Sequence, residues 1–214
     1  MLKYKKGVLA KKLEMYARKD PNLARVLEYT KSAFDKSGLS AHNWAHAYRD
    51  VLNAIVIGEG EEADMKIILP AAAMHDVGFL YGGTGQTHED IGAQKLKSFL
   101  DKGGIKYSKE DILRMAGCIR THKGSMFGKK PQSLEAKVVC DADFLEKFGP
   151  FGVYQTVRTY TEFNWEIKKL LKRAQEIPHW KLETKTGKKI AEQGRKFVID
   201  FYTHLKKAND LYES

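Results

Sequence analysis

The run WAHAYRDVLNAI, residues 44–55, decides the fold class. Trp44, Tyr48, Val51, Leu52 and Ile55 recur at the spacing of one face of an α-helix, not at the alternation of a strand. Working outward, Ile112, Met115, Ala116, Ile119 and His122 form a second stripe of this kind. Ile190, Ala191, Gly194, Phe197, Val198, Phe201 and Leu205 form a third. Pro70 is suited to the first turn of a helix running through AAAMHDV, with Gly78 as its stop. AKVVCDADFL (136–145) fits helix or strand, but no segment alternates cleanly over several residues. The chain reads as all-α.

Its 214 residues suit one domain spanning 1–214, and no repeat or Pro/Gly/Ser linker divides them. Hydrophobic residues at 43% supply a real core and exclude disorder over the whole length. No apolar run is long enough to cross a membrane, and the opening MLKYKKGVLAKKLEMYARKD breaks into charges before a secretion signal could form. A soluble, cytoplasmic protein with no membrane partner is expected. Cys118 and Cys140 lie in apolar settings with no C-x-x-C pair, which predicts two buried free thiols.

The formal charge of +10 is unevenly spread. Residues 41–90 carry two basic and eight acidic side chains, whereas the flanks hold short lysine pairs and no basic block of five or more. That pattern predicts a lysine-rich solvated surface with attraction for a small anionic substrate rather than a nucleic-acid-binding face.

Chemistry concentrates in the acidic segment. His75-Asp76 closes the apolar run AAAMHDV, where burying a carboxylate beside an imidazole is costly unless a cation joins them. Adjacent helical residues point about 100° apart, so one ion reaches both only at a helix end or kink. Upstream, His42 and His46 share a helical face with Arg49 and Asn53; it lies opposite the apolar stripe, so periodicity assigns it to solvent. Downstream, THEDIGA offers His88, CIRTHKG offers His122 flanked by Arg120 and Lys123, and AKVVCDADFLEKFG offers Asp141 and Asp143.

Taken in order, HNWAHAYRDV, AMHDVGF, HEDIGA, IRTH and DADFLEKFG resemble the HD-domain superfamily of metal-dependent phosphohydrolases, in its small bacterial form. The C-terminal TKTGKKIAEQGRKFVIDFYTHL resembles that branch's last helix. The resemblance implies a compact helical bundle with its motif-bearing core at about 40–150 and a helical segment, 151–214, packed on it. It implies His46, His75, Asp76 and Asp143 as metal ligands, with Asp141 the alternative to Asp143. His46 is preferred to His42 because the family's first ligand precedes an x-x-Arg step, here Arg49. His88 and His122 match histidines that either hold a second ion, bridged by Asp76, or contact the substrate and protonate the leaving group. One departure is Ala45, where such members carry an acidic residue.

The implied activity is hydrolysis of a phosphate ester or anhydride of a nucleotide or similar small phosphorylated metabolite by metal-activated water, with Asp76, His88 and His122 as the catalytic group. Mixed imidazole and carboxylate ligation suits Mn, Fe, Co, Ni or Zn better than Mg, which can accompany the substrate. Arg49, Arg120 and Lys123 are candidate phosphate contacts. The glycine-rich loop 81–87 is a candidate cleft rim, and Phe151, Tyr154, Tyr160, Phe163, Trp165 and Trp180 are either core or surfaces on which a base stacks. Two other readings stay open: a cyclic or linear nucleotide phosphodiesterase, and a catalytically silent metal- or nucleotide-binding module.

Overall fold

The computed structural model describes residues 5–212 and contains ten α-helices and no strand among them. They are α1 (Val8–Lys19), α2 (Pro21–Asp35), α3 (Trp44–Glu61), α4 (Met65–Met74), α5 (His88–Lys102), α6 (Lys109–Thr121), α7 (Leu134–Leu145), α8 (Gly149–Glu162), α9 (Ile167–Glu176) and α10 (Lys185–Asp210). The ambiguous segment 136–145 is helical, within α7.

Most helix starts are written locally. Asp20, Asn43, Asp64, Ser108, Ser133 and Thr184 each accept a backbone N–H of the helix they open. Such a cap stabilises a helix by about 1 kcal/mol, because it satisfies a donor that has no partner inside the helix. The start of α4 is where the sequence reading fails. Pro70 does not open a helix but sits inside α4, which begins five residues earlier behind Asp64. Pro70 lacks the N–H of one intrahelical hydrogen bond, a cost of about 3 kcal/mol, which burial of the run Ile67–Met74 offsets.

Helix α4 is the axis of the core. Every residue from Ile67 to Met74 is buried, and the helix packs against α2, α3, α6 and α7. Its apolar run therefore shows little helical periodicity, as expected where neighbours surround a helix. The stripe on α6 is inside, with Met115, Ala116 and Ile119 buried. That on α10 is only partly so: Ala191 and Val198 are buried, whereas Phe197 and Phe201 are exposed. Its inward line runs instead through Gly187, Ala191, Val198 and Tyr202, which face α3, α7 and α8. Cys118 and Cys140 are buried free thiols. No described helix is long and apolar enough to cross a membrane.

Two packing details position the site. α4 ends at Met74, so His75 and Asp76 leave the helix where the backbone turns into the 3-10 turn Val77–Tyr81. The chain then returns so tightly that a Cβ on Gly78 would lie 1.9 Å from the His88 carbonyl oxygen. Gly78 is thus a point of close approach between that turn and α5, not a helix stop.

A candidate metal centre at the meeting of five helices

The face of α3 that periodicity assigns to solvent is the face that carries the site. His46 is 1% exposed, because α7 packs over it and Asn53 on the same face donates to the Ala142 carbonyl at 3.1 Å. From α3, the end of α4, the start of α5, the end of α6 and α7 come His46, His75, Asp76, His88, His122 and Asp143, all buried.

Their geometry forms two linked groups. In the first, His46 Nε2 lies 3.2 Å from His75 Nε2, 3.4 Å from Asp76 Oδ2 and 3.5 Å from Asp143 Oδ1. In the second, His88 Nε2 lies 3.2 Å from His122 Nε2 and 3.3 Å from Asp76 Oδ1. Asp76 thus turns one oxygen to each group.

The imidazole tautomers follow from their partners. His75, His88 and His122 present Nδ1 to the carbonyl oxygens of Ala72, Thr84 and Ile119 at 2.8, 2.9 and 2.7 Å. A carbonyl only accepts, so each Nδ1 carries the hydrogen and each neutral ring directs its Nε2 lone pair into the cluster. His46 Nδ1 donates likewise to Glu146 Oε2 at 2.8 Å. Two pairs of lone pairs then face each other at 3.2 Å, an arrangement that repels unless a cation or a proton lies between them.

Between His46 and His75, protons take that place without a metal. Burial disfavours charge on His75, but Asp76 and Asp50 outweigh it and raise its pKa to about 9. Burial likewise opposes charge on His46, and Asp50, Asp76 and Glu146 reverse it. Burial alone would push the Asp76 and Asp143 carboxyls up, but neighbouring histidines, and Lys147 beside Asp143, hold both below the ordinary range. Burial and the neighbouring His75 and His88 push His122 down to about 3. Buried, ionised and incompletely bonded carboxylates facing neutral imidazoles are the donor set of a divalent transition ion. The residues present fit such a group, and Asp76 Oδ2, buried with no hydrogen-bond partner, is the observation that says so most directly.

Asp141 and Asp143 separate cleanly. Asp143 reaches the cluster, while Asp141 accepts the backbone N–H groups of Glu183 and Thr184 and the Thr184 hydroxyl at 2.8, 2.7 and 2.6 Å. Asp141 therefore braces the start of α10. Arg49 does not line the cavity: its guanidinium pairs with Glu146, the carboxylate that holds His46. Arg120 is also outside, exposed beside Asp90 at 3.7 Å. Lys123 is in the wall, donating to the Gly85 carbonyl at 2.8 Å.

Several site residues escaped the sequence reading. Asp50, one turn after His46, is 1% exposed with neither oxygen hydrogen-bonded among the described residues; Oδ2 is 3.3 Å from His46 Nε2 and 3.5 Å from His75 Nε2. Burial, together with Glu146 and Asp143, pushes its carboxyl well above the usual range despite His46 and His75. The i, i+4 spacing from His46 was a usable signal. Lys147 lies in the wall and pairs with Asp143 at 3.0 Å. Glu146 and Lys147 lie inside the last motif, DADFLEKFG, without having been singled out there.

The cluster forms the floor of a cavity of about 140 Å³, walled by His42, Phe79, Lys123, Lys147 and aromatic residues of the α8–α9 region. His42 is at its edge, paired with Glu162 through Nδ1 and 5.4 Å from the Phe163 ring centre.

The HD-domain family model matches residues 43–147. The YpgQ protein of Bacillus subtilis is 26% identical over 184 residues, 78% of this chain and 84% of its own length. Among solved structures, B. subtilis YpgQ in complex with ADP is similar with a TM-score of 0.60 at 23% identity, over 88% of this chain and 95% of that one. A predicted HD superfamily hydrolase from an uncultured Thermotogales bacterium is similar with a TM-score of 0.60 at 24% identity, over 86% of this chain and 90% of that one.

Proposed function

The chain carries an HD domain over residues 43–147, and on that premise we propose that it is a metal-dependent phosphohydrolase acting on a nucleotide or similar small phosphorylated metabolite. The observation that carries this reading is the pair of facing imidazole sets joined by Asp76, whose Oδ2 finds no hydrogen-bond partner. A transition metal held there supplies Lewis acidity and makes a bound water acidic enough to yield hydroxide near neutral pH.

The residues of the chain divide the remaining work. His46, His75, Asp76 and Asp143 would hold a first ion, with Asp50 3.3 Å from His46; Asp76 faces both groups, and His88 and His122 would hold a second. Two features favour that role over protonation of the leaving group. Their Nδ1 hydrogens are committed to backbone carbonyls, and the low pKa of His122 keeps its Nε2 a lone-pair donor at neutral pH. Glu146 fixes His46, and Arg49 fixes Glu146. The cations in the cavity wall are Lys123, paired with Glu89, and Lys147, paired with Asp143, and they replace Arg49 and Arg120 as candidate phosphate contacts. The ADP bound to the similar YpgQ supports a phosphorylated nucleotide as the ligand class.

The test is elemental analysis of the purified protein and of Asp76→Ala, with both assayed on a panel of nucleoside mono-, di- and triphosphates in Mn²⁺. The expected result is one or two equivalents of transition metal and metal-dependent phosphate release, both lost in the variant. A wild-type protein that takes up no metal on reconstitution would overturn the proposal. Metal uptake with no hydrolysis of any panel member would leave a binding module instead.

A further inference from the structure

Beside the metal cavity lies a larger cleft of about 920 Å³, and the two share Gly85, Tyr160, Phe163 and Trp165 as walls. Small-molecule sites usually measure about 300–1,000 Å³. The inner cavity, at about 140 Å³, takes a phosphoryl group but not a nucleoside. The outer cleft lies in the usual range, so a phosphate on the metal floor leaves the rest of its carrier in that cleft.

That carrier meets there the rings of Tyr160, Phe163 and Trp165, the polar loop 83–86, and Lys169, Lys172 and Glu176. Phe79 stacks on His88 with ring centres 4.2 Å apart. Phe163 continues outward, 6.3 Å from Phe79 and 4.9 Å from Trp165, and Tyr160 meets Trp165 edge-on at 4.9 Å. Trp165 is 37% exposed, open for a tryptophan packed against two other rings and a lysine. Lys169 lies over its ring, 3.3 Å from Nζ to the centre, and Lys172 in the same cleft has no ion-pair partner among the described residues. An aromatic wall of this kind suits a flat heteroaromatic group stacked on its rings.

The wall is also held in register with the metal floor. Glu162, which precedes Phe163, accepts the Ala41 N–H at 2.6 Å and pairs with His42. His42 lies just before the Asn43 cap of α3, four residues ahead of His46.

We propose that Phe163 and Trp165 form the nucleobase-binding wall, so that the substrate lies with its phosphate on the metal floor and its base in the outer cleft. This rests on the phosphohydrolase reading for the inner end and adds the residues that select the outer one.

Calorimetric titration with the methylene analogue of ADP, and with inorganic tripolyphosphate as a probe lacking a base, tests it on wild type, Trp165→Ala and Phe163→Ala. Stacking of one base implies that each alanine variant weakens the ADP analogue by about tenfold. Tripolyphosphate affinity should stay within about twofold, since its anchor is elsewhere. Trp165→Phe, which keeps a ring, should recover most of the loss. Equal weakening of both ligands, or an unchanged ADP analogue, overturns the assignment. Because these are binding data, they separate from turnover. A protein that hydrolyses no nucleotide but shows the selective loss keeps the base wall and loses the phosphohydrolase reading; nucleotide hydrolysis without selective loss does the reverse.

Discussion

The metal floor and the aromatic wall face one cavity, yet different physics builds them. The floor is made of charged side chains that are almost wholly buried, drawn from five helices and bonded to one another or to backbone carbonyls. The wall is made of half-exposed rings around the end of α8 and the turn that follows, tied to the floor chiefly through Glu162. Buried groups that must share charge tolerate little displacement, because each lost partner leaves an unpaired polar atom in a low dielectric. Rings that stack do so with wide angular latitude. The chemistry is therefore housed in the rigid part and the choice of ligand in the adaptable part.

The sharpest way to break this comparison is Asp76→Ala, which removes the carboxylate common to both halves of the floor. Activity should fall more than about a thousandfold with metal content lost, while circular dichroism stays helical. A variant that retains activity would mean the floor is not the reacting centre. Glu146→Gln keeps the shape but weakens the hold on His46, so a loss of about 10–100-fold in metal affinity is expected. An unchanged affinity would assign Glu146 to the arginine alone.

Proton competition gives the next effect. His75 is raised above its ordinary pKa to about 9, so at neutral pH the ion must displace its proton. Apparent metal affinity should therefore rise with pH, by roughly tenfold per unit for one displaced proton, and level off above about pH 9. Titrations with Mn²⁺ at several pH values check the sign, and a flat profile would show that no proton is displaced.

On the wall, Glu162→Gln should raise KM several-fold, on the order of one lost charged hydrogen bond, while leaving metal content intact. A fall in metal content instead would show that floor and wall are one unit. The smallest effect on the site is expected from Asp141→Ala. It should leave metal and activity in place and lower stability by about 1–3 kcal/mol, read as a fall in Tm, because the start of α10 loses its bracing acceptor.

Much of this molecule was legible in local pattern. The helical stripes of α3 and α6, the buried thiols and the end-of-helix position of His75-Asp76 all follow from spacing and hydrophobicity. The misreadings share one cause. Arg49 lies on the correct face for a phosphate contact, yet its partner is Glu146, 97 residues away. Phe197 and Phe201 belong by period to the stripe of α10, yet the helices it packs on cover a line a few residues aside.

Sequence by itself determined the fold class, because helix period is a local property, and it offered the histidines and aspartates through ordered motifs that resemble those of the HD-domain superfamily. Tertiary structure decided the rest: that the His46 face is interior, that Asp143 reaches the cluster while Asp141 holds the segment that leads into α10, and that Asp50 is buried beside His46. Each of those depends on which helix covers a given face, a relation between distant segments that no spacing along the chain encodes.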